Sequence, residues 1–375
     1  MMLAVEPSVV VLSGGLGGAR LVPALLDELG GLDELGGGSS WRDGASLGNG
    51  ASLGDGASRR DGALPVVVNV GDDFMWHGLK VCPDIDTVCY ALAGMFDFDR
   101  GWGRRGDTSE VARELGRRGL AGWAHLGDTD VALSLRRNEL IASGATLTQA
   151  TAALAGCLGI EGVELLPASD TPAPTAVDVA GSTVGSTVGS TVGSTVGGTV
   201  GGTVGGGRVG YAEWFVRHDA AKRVLAVHRP VASASADALD RLAGARAAVL
   251  APSNPVASIG AILALQGMAE ALAGVARRIG VLGLSGRKPP DHPALSRRLR
   301  AQAALLEALG RGGSVADHAL VLSPFVTDLV VDDPDVPEVK AALAGQAGFD
   351  ASPEVHAAAI LDREALARSV ASLLT

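Results

Sequence analysis

Four aspartates flank a short and otherwise mostly uncharged stretch of the chain, "NVGDDFMWHGLKVCPDIDT", which spans residues 69–87. Asp72 and Asp73 lie at one end of it, and Asp84 and Asp86 lie at the other. Two carboxylates about 4 Å apart repel by roughly 4 kcal/mol at an effective dielectric constant of about 20, so such a group favours a bound cation. Oxygen ligands without a cysteine or histidine cluster suit Mg²⁺, which is usually held by one or two carboxylates and a substrate phosphate. The alternative is that Asp84 or Asp86 caps a helix that begins near Thr87.

A glycine-rich turn follows the first apolar run, in "VVVLSGGLGGAR". Its glycines would let backbone N–H groups approach an anion, and the N-terminus of the following helix adds a partial charge of about +0.5. Arg20, in the first helical turn, can donate to the same anion. The segment is not a dinucleotide fingerprint, because Arg20 replaces the third glycine, and it is not a P-loop, because no GK[ST] follows. We predict a phosphate site formed by Gly14, Gly15, Gly17, Gly18 and Arg20; the alternative is a tight turn without a ligand.

Two other polar turns contain candidate binding residues. In "APSNPVASIGAIL", Ser253 and Asn254 precede a predicted helix, and their side chains can either hydrogen-bond a nucleotide or cap the turn. In "HLGDTD", Asp128 is interpreted as the N-cap of the helix "VALSLRRNEL". His125 is either a pocket residue or an ordinary core or surface histidine.

The segment "RGWGRRGD" places an indole beside guanidinium groups, with Trp102 followed by Arg104 and Arg105. A flat stacking surface next to positive charge suits an anionic substrate that carries a ring, whereas the alternative is a solvated charged loop. No Ser-His-Asp order, HExxH motif or Cys-His pairing stands out. Phosphoryl-type transfer needs mainly positioning and cation charge, so it fits these residues better than covalent catalysis does.

Alternating strands and helices must position these residues. Short β-branched runs predict strands at "SVVVLSGG", "LPVVVNVGDD", "VELLPAS", "RVGYAEWFVR", "AAVLAPSNP", "RIGVLGLSG" and "HALVLSP". Helical spacing predicts helices at "ARLVPALLDEL", with Pro23 near its first turn, through most of residues 87–159, at "ASIGAILALQGMAEALAG" and in the closing "PEVHAAAILDREALARSVASLL". The alternation predicts an α/β fold with a mainly parallel sheet, helices on both faces and ligands at the carboxyl ends of the strands.

Composition and charge argue against several other classes. The formal net charge is −10, which disfavours a nucleic-acid partner because such partners usually require a basic face. Cys82, Cys89 and Cys157 contain no CxxC pair and indicate neither a disulfide framework nor a zinc site. The N-terminus lacks a basic leader, and no run of about 18 apolar residues could span a membrane. We expect a soluble, cytoplasmic protein without a nucleic-acid or membrane partner.

Together and in this order, the motifs resemble the 2-phospho-L-lactate transferase family of coenzyme F420 biosynthesis, and most closely its actinobacterial branch, the phosphoenolpyruvate transferases. The matching segments are "LSGGLGGAR", "VVVNVGDDFMWHGLKVCPDIDTVCYALAGMFDFDRGWGRRGDT", "LGDTD", "LLPASD" and "LAPSNPVASIGAIL". They cover most of the chain to about Gly267, and the resemblance weakens beyond that residue.

The resemblance implies a Mg²⁺-dependent transfer of a phosphoenolpyruvyl or 2-phospho-L-lactyl group. The donor would be a guanosine diphosphate adduct, the acceptor would be the deazaflavin precursor Fo, and GMP would be released. By the same resemblance, Asp86 would contact the ribityl chain of Fo or help to position the metal, and His125 would line the Fo pocket. We expect Asp86 to accept the proton of the attacking hydroxyl. The expected Mg²⁺ ligands are Asp73, Asp84 and Asp86, and the other expected substrate-binding residues are the glycine loop, Arg20, Trp102, Ser253 and Asn254.

The resemblance also implies a Rossmann-like core with a helical subdomain, usually in a dimer. On this basis residues 1–90 form the first part of the core, 91–165 a helical subdomain and 166–375 the remainder of the core. Two glycine-rich inserts, at 36–63 and 181–207, are interpreted as surface insertions because the cost of loop closure grows slowly with length. A β-solenoid is the alternative for the STVG repeat. Two other functions stay open: a nucleotide-sugar-binding regulatory protein of a related fold, and an NAD-dependent dehydrogenase, which rests on the glycine loop alone.

Overall fold

A seven-stranded parallel sheet forms the centre of the computed structural model, which describes residues 9–34, 62–120, 122–180, 206–283, 293–346 and 352–374. The two predicted inserts lie outside the described residues except for their last two positions. Numbered along the chain, the strands are β1 (Val9–Ser13), β2 (Leu64–Val68), β3 (Phe74–Trp76), β4 (Leu79–Val81), β5 (Val163–Pro167), β6 (Ala176–Ala180), β7 (Gly206–Gly210), β8 (Val224–His228), β9 (Ala247–Leu250), β10 (Arg277–Val281), β11 (Asp328–Asp332) and β12 (Glu354–Ala358).

Helices connect these strands. They are α1 (Gly15–Glu34), α2 (Pro83–Leu92), α3 (Glu110–Arg117), α4 (Asp128–Ala142), α5 (Leu147–Cys157), α6 (Tyr211–Arg217), α7 (Ala236–Ala243), α8 (Gly260–Leu263), α9 (Met268–Ala273), α10 (Pro293–Ala308), α11 (Val315–Leu322), α12 (Val336–Ala344) and α13 (Arg363–Leu374). A π-helical segment, Pro255–Ile259, leads into α8. Short 3₁₀ turns lie at Ser323–Phe325 and Asp333–Asp335. None of the described helices is long and apolar enough to cross a membrane.

The strand order of the large sheet explains where a ligand site should form. The order is β12-β11-β10-β9-β1-β2-β5, and every neighbouring pair is parallel. The chain runs outward from β1 through β2 to β5, returns to β9 on the other side of β1, and then runs outward to β12. Because crossovers between parallel strands are almost always right-handed, winding in both directions is expected to place helices on both faces of the sheet. Ligands of such folds bind beyond the carboxyl ends of the strands where the winding reverses, which here is between β1 and β9. The predicted α/β, Rossmann-like fold is confirmed.

The middle strands consist of continuous apolar runs because both faces of the sheet are covered. In β1 the side chains from Val10 to Leu12 are fully buried, and Leu12 lies between Val67 of β2 and Leu250 of β9. These three strands end at nearly the same level. The residues that follow them, Ser13–Gly15, Asn69–Asp73 and Ala251–Asn254, therefore meet at one edge of the sheet.

Three secondary-structure predictions were wrong. The segment "HALVLSP" was predicted to be a strand, but its first five residues belong to α11 and its last two to the following 3₁₀ turn. The N-terminus of α11 has a capping box in which Ser314 and Asp317 bond each other's backbone. Most of "RVGYAEWFVR" forms α6 rather than a strand, with Trp214 completely buried. The closing segment begins with β12, not with a helix, and β12 pairs with β11 at the edge of the sheet.

Helix α1 also differs from the expectation for Pro23. The helix begins at Gly15, so Pro23 lies in its third turn rather than near its first. Proline has no N–H to donate and its ring crowds the preceding turn, so α1 lacks one internal hydrogen bond there. Packing against α2 and α13 holds the helix in place.

Smaller elements surround the carboxyl edge of the large sheet. The strands β3 and β4 form an antiparallel hairpin between β2 and α2. The strands β7, β6 and β8 form a separate antiparallel sheet next to α6 and α10. Helices α3, α4 and α5 fall within the segment 91–165 that was predicted to be helical. The proposed domain limits themselves stay predictions.

Candidate functional site

A cleft with a cavity volume of about 130 Å³ lies at the carboxyl ends of β1 and β9, the position that the strand order predicts. Helix α10 and residues Tyr211 and Phe215 of α6 line it together with the glycine loop. Its polar lining comes chiefly from Gly15, Arg20, Asp72, Asp84, Ser253 and Arg298.

Two carboxylates share one amide group in this cleft. The Asn69 side-chain nitrogen donates to Asp72 Oδ1 at 3.1 Å and to Asp84 Oδ2 at 2.9 Å. Asn69 is held in turn by the N–H of Gly71, which donates to its side-chain oxygen at 2.8 Å. We call Asp72 and Asp84 the acid pair.

Burial and mutual repulsion make it unfavourable for both carboxylates of the acid pair to be ionised without a counter-charge. Burial, followed by repulsion from Asp84, raises the pKa of Asp72 well above its usual range. Burial raises the pKa of Asp84 to about 6, although Asn69 and the N–H of Gly15 donate to its carboxylate and oppose the change. Raised carboxylate pKa values mean that the folded protein binds a proton more readily at this position. An oxygen-only set of this kind fits Mg²⁺.

The other two aspartates of the motif point towards protein cations. Asp73 Oδ2 forms an ion pair with Lys80 Nζ at 3.0 Å and accepts a hydrogen bond from Cys82 Sγ at 3.2 Å. Asp86 Oδ1 forms a direct ion pair with Arg137, whose side chain is completely buried. Each carboxylate keeps one buried oxygen, Asp73 Oδ1 and Asp86 Oδ2, for which the described residues supply no hydrogen-bond partner. The set Asp73, Asp84 and Asp86 stays a prediction for metal binding, whereas the cleft itself is lined by Asp72 and Asp84.

The helix-cap alternative for Asp84 and Asp86 was wrong. Helix α2 begins at Pro83 rather than near Thr87, so both aspartates lie in its first turn, and the N-cap position is Cys82 without a side-chain cap. Proline favours this first helical position because its φ is already helical and it needs no N–H there. Asp84 also accepts from the N–H of Gly15, so its carboxylate faces the positive N-terminal ends of both α1 and α2.

The glycines of the first turn are required by close packing. The Gly14 N–H donates to Ser253 Oγ at 3.0 Å, which joins the turns after β1 and β9. A methyl group at Gly15 would lie 2.6 Å from Asp84 Oδ1, and one at Gly17 would lie 2.1 Å from Ser253 Oγ. At Gly18 the added carbon would lie 2.1 Å from Ser13 Oγ. The glycines thus bring the start of α1 against the acid pair, and phosphate binding by this turn stays a prediction.

The turn after β9 is built by its own side chains. Asn254 Oδ1 accepts from the N–H groups of Val256 at 2.9 Å and Ala257 at 2.8 Å, and so caps the π-helical segment. Of the two roles left open for Asn254, the structure contains the cap. Ser253 and Asn254 both line the cleft, so their contact with a nucleotide stays a prediction.

Two arginines from different helices, Arg20 of α1 and Arg298 of α10, line the cleft. Arg20 donates to the carbonyl oxygen of Leu361 at 2.7 Å, just beyond β12. Burial, with repulsion from Arg363, lowers the pKa of Arg20. Arg298 of α10 donates to the carbonyl oxygen of Gly101 at 2.6 Å. The sequence predicted Arg20 but not Arg298, for which the only signal was the basic segment "RKPPDHPALSRRLR".

Trp102 and His125 do not belong to the described cleft lining. Trp102 is half-buried, and the guanidinium of Arg100 lies 3.6 Å from the centre of its ring. It follows Gly101, so its loop is joined to the cleft through Arg298. His125 is exposed in the loop before α4. Substrate contacts of both residues stay predictions.

Asp128 was interpreted as the N-cap of α4, but it caps a different helix, α3. Helix α4 begins at Asp128 itself, and the Asp128 carboxylate accepts from the N–H groups of Glu110 at 3.1 Å and Val111 at 3.0 Å. It also accepts from Thr108 Oγ1 at 2.6 Å, the bond that contributes most to lowering its pKa. Asp128 therefore caps α3 across the loop. The N-terminus of α4 is instead capped by a residue within its own first turn, since buried Asp130 accepts from the N–H of Gly127 at 3.0 Å.

The family model described as "2-phospho-L-lactate transferase CofD" matches residues 9–356 of this chain. The chain belongs to this family. It is 36% identical over 286 residues to the phosphoenolpyruvate transferase of Mycobacterium tuberculosis (strain ATCC 25618 / H37Rv), with 75% of each chain covered. The phosphoenolpyruvate transferase of Nocardia farcinica is 35% identical over 291 residues, which cover 76% of this chain and 73% of that one.

The crystal structure of a UPF0052 family member from Bacillus halodurans is similar in fold. The TM-score is 0.54 with 12% sequence identity, and the match covers 99% of this chain and 100% of the other. At this identity the similarity concerns the fold alone. Membership of the 2-phospho-L-lactate transferase family makes the chain a transferase in class and replaces the dehydrogenase interpretation, which rested on the glycine loop only.

Proposed function

We propose that this chain transfers a phosphoenolpyruvyl group, or a 2-phospho-L-lactyl group, from a guanosine diphosphate adduct to Fo and releases GMP in coenzyme F420 biosynthesis. The family assignment and the phosphoenolpyruvate transferases among its relatives support this reaction. The observation that carries the proposal is the acid pair, held by Asn69 beside the N-terminus of α1 at the reversal point of the sheet. Sites of this construction suit a cation bound to a diphosphate.

In the proposed reaction a hydroxyl oxygen of Fo attacks the phosphorus that carries the enolpyruvyl or lactyl group. A new P–O bond to Fo forms, the P–O bond to GMP breaks, and the hydroxyl proton leaves to a base. Mg²⁺, held by Asp72 and Asp84, would neutralise the diphosphate charge. Asn69 fixes the separation and orientation of these two carboxylates, and the start of α1 places its N–H groups on the same side.

Asp86 is the proton acceptor that the sequence predicts. Its Oδ1 is held by Arg137, while Oδ2 has no hydrogen-bond partner among the described residues. Burial raises the pKa of Asp86, and the charge of Arg137 opposes that change. The assignment stays a prediction, as do Asp73 as a metal ligand, the homodimer and the cytoplasmic location.

The reaction can be tested directly. Protein, Fo and Mg²⁺ are mixed with equal amounts of enolpyruvyl- and lactyl-diphosphoguanosine, GMP is quantified by chromatography, and Fo is examined by mass spectrometry. We expect GMP to appear together with an equal amount of Fo that carries the transferred group, and the product mass separates the lactyl from the enolpyruvyl donor. The donor is validated with the Mycobacterium tuberculosis phosphoenolpyruvate transferase as a positive control. If that enzyme turns over the donor and this chain releases no GMP, the proposal is rejected.

A further inference from the structure

One side of helix α10 faces the cleft. Leu295, Arg298, Leu299 and Gln302 all line it, at the spacing that places residues on a single side of a helix. Arg298 is the only charged residue of this set, so it brings the positive charge of α10 to the cleft.

The neighbours of Arg298 orient it without neutralising it. Its Nη2 donates to the carbonyl oxygen of Gly101 at 2.6 Å. The charges of Asp72 and Asp84 attract it, but within the described ranges no carboxylate lies at ion-pair distance. Its Nε is buried and has no hydrogen-bond partner there either. The guanidinium therefore retains donors that a ligand can use.

The adjacent arginines of α10 contrast with Arg298. Arg297 forms an ion pair with Asp219 at 2.5 Å, and Arg300 pairs with the other oxygen of Asp219 at 2.6 Å. Both partners of Asp219 lie outside the described cleft lining. Arg300 is exposed, and it provides a matched control on the same helix.

We propose that Arg298 binds the diphosphate of the donor nucleotide and holds it against the acid pair. The inference deepens the proposed function, on which the identity of the nucleotide rests. A guanidinium matches phosphate oxygens with two parallel N–H donors, which a lysine cannot reproduce. The Gly101 carbonyl fixes the direction of this fork, so the loop that carries Trp102 is positioned by the same residue. Arg298 and a cation on the acid pair would then contact the diphosphate from two sides.

The test measures the affinity for two ligands, which removal of the Arg298 charge should change in opposite directions. Binding of GDP in the presence of Mg²⁺ and binding of Mn²⁺ alone are measured by isothermal titration calorimetry for wild type, R298M, R298K and R300M. We expect R298M to bind GDP about ten- to a hundredfold more weakly, because it loses a charge-assisted contact. The same variant should bind Mn²⁺ alone roughly two- to tenfold more tightly, because a positive charge near the acid pair is gone. R298K should lose GDP affinity while keeping the wild-type affinity for Mn²⁺, and R300M should behave as wild type with both ligands.

A purely structural role of Arg298 would weaken both ligands together, and that outcome overturns the inference. Unchanged GDP binding in R298M overturns it as well. If the wild-type protein binds no GDP, the proposed function and this inference are both rejected. If the wild type binds GDP and R298M binds it equally well, only the inference is rejected.

Discussion

Arg137→Met should destabilise the fold strongly, because it leaves the buried carboxylate of Asp86 without its counter-charge. The Arg137 side chain is fully buried and the Asp86 side chain is 7% exposed, so water cannot replace the lost partner. Removing one member of a buried ion pair typically costs about 3 to 5 kcal/mol. Arg137 also donates weakly to the carbonyl oxygen of Lys80 at 3.4 Å, so the same change loosens the hairpin strand β4.

The assay is urea denaturation followed by circular dichroism, with the free energy of unfolding extrapolated to water. Asp86→Asn in the Arg137→Met background should recover at least about 1 kcal/mol, because it removes the stranded charge. Arg136→Met is the matched control: Arg136 directly precedes Arg137 in α4, but it is exposed and pairs with exposed Glu139, so its loss should leave the midpoint unchanged. A wild-type midpoint for Arg137→Met, or strict additivity of the two changes, would refute the assignment of a structural ion pair.

Three further outcomes follow from the cleft. Gly15→Ala should lower the melting temperature and abolish Mg²⁺ binding, because its methyl group would lie 2.6 Å from Asp84 Oδ1, whereas Gly156→Ala in α5 meets nothing within 4 Å and should do neither. The pKa of Asp84 is raised to about 6, so the protonated side chain stabilises the fold below about pH 4, and this stabilisation is lost as the pH rises through 6. The wild type should therefore lose roughly 2 kcal/mol of stability between pH 4 and 7 that Asp84→Asn does not lose, as measured in thermal scans. Mg²⁺ should stabilise only the wild type. Asn254→Ala should lower the free energy of unfolding by about 1 kcal/mol in urea denaturation, because the helix cap is lost, whereas Asn254→Asp should retain most of the wild-type stability.

Local sequence was sufficient for the parts of the fold that depend on continuous apolar runs. The strands β1, β2 and β9 are such runs, and each is followed by a polar or glycine-rich turn, so the edge of the sheet that carries the cleft was predictable. The segment "HALVLSP" shows where this reasoning fails, since a short apolar run fits a strand or a buried helix equally well. The spacing of Ser314 and Asp317 was the available signal for a helix, because the two residues form a capping box.

The partners of the four aspartates could not be predicted from their spacing. Arg137 lies 51 residues beyond Asp86 and Arg298 lies in the segment where the family resemblance weakens, so only the tertiary structure brings them to the motif. Alternation along the chain also did not reveal that Asp72 turns towards the cleft while Asp73 turns towards Lys80. The directions of these side chains depend on burial and on charges that are distant in sequence, and neither can be deduced from a single sequence.

The most direct test of the account is anomalous diffraction from crystals soaked with Mn²⁺ and GDP. The account predicts an anomalous peak between the carboxylates of Asp72 and Asp84, within bonding distance of both, with diphosphate oxygens on the side of Arg298. A peak at Asp73 and Asp86 instead, or a bound nucleotide with no metal at the acid pair, would contradict it.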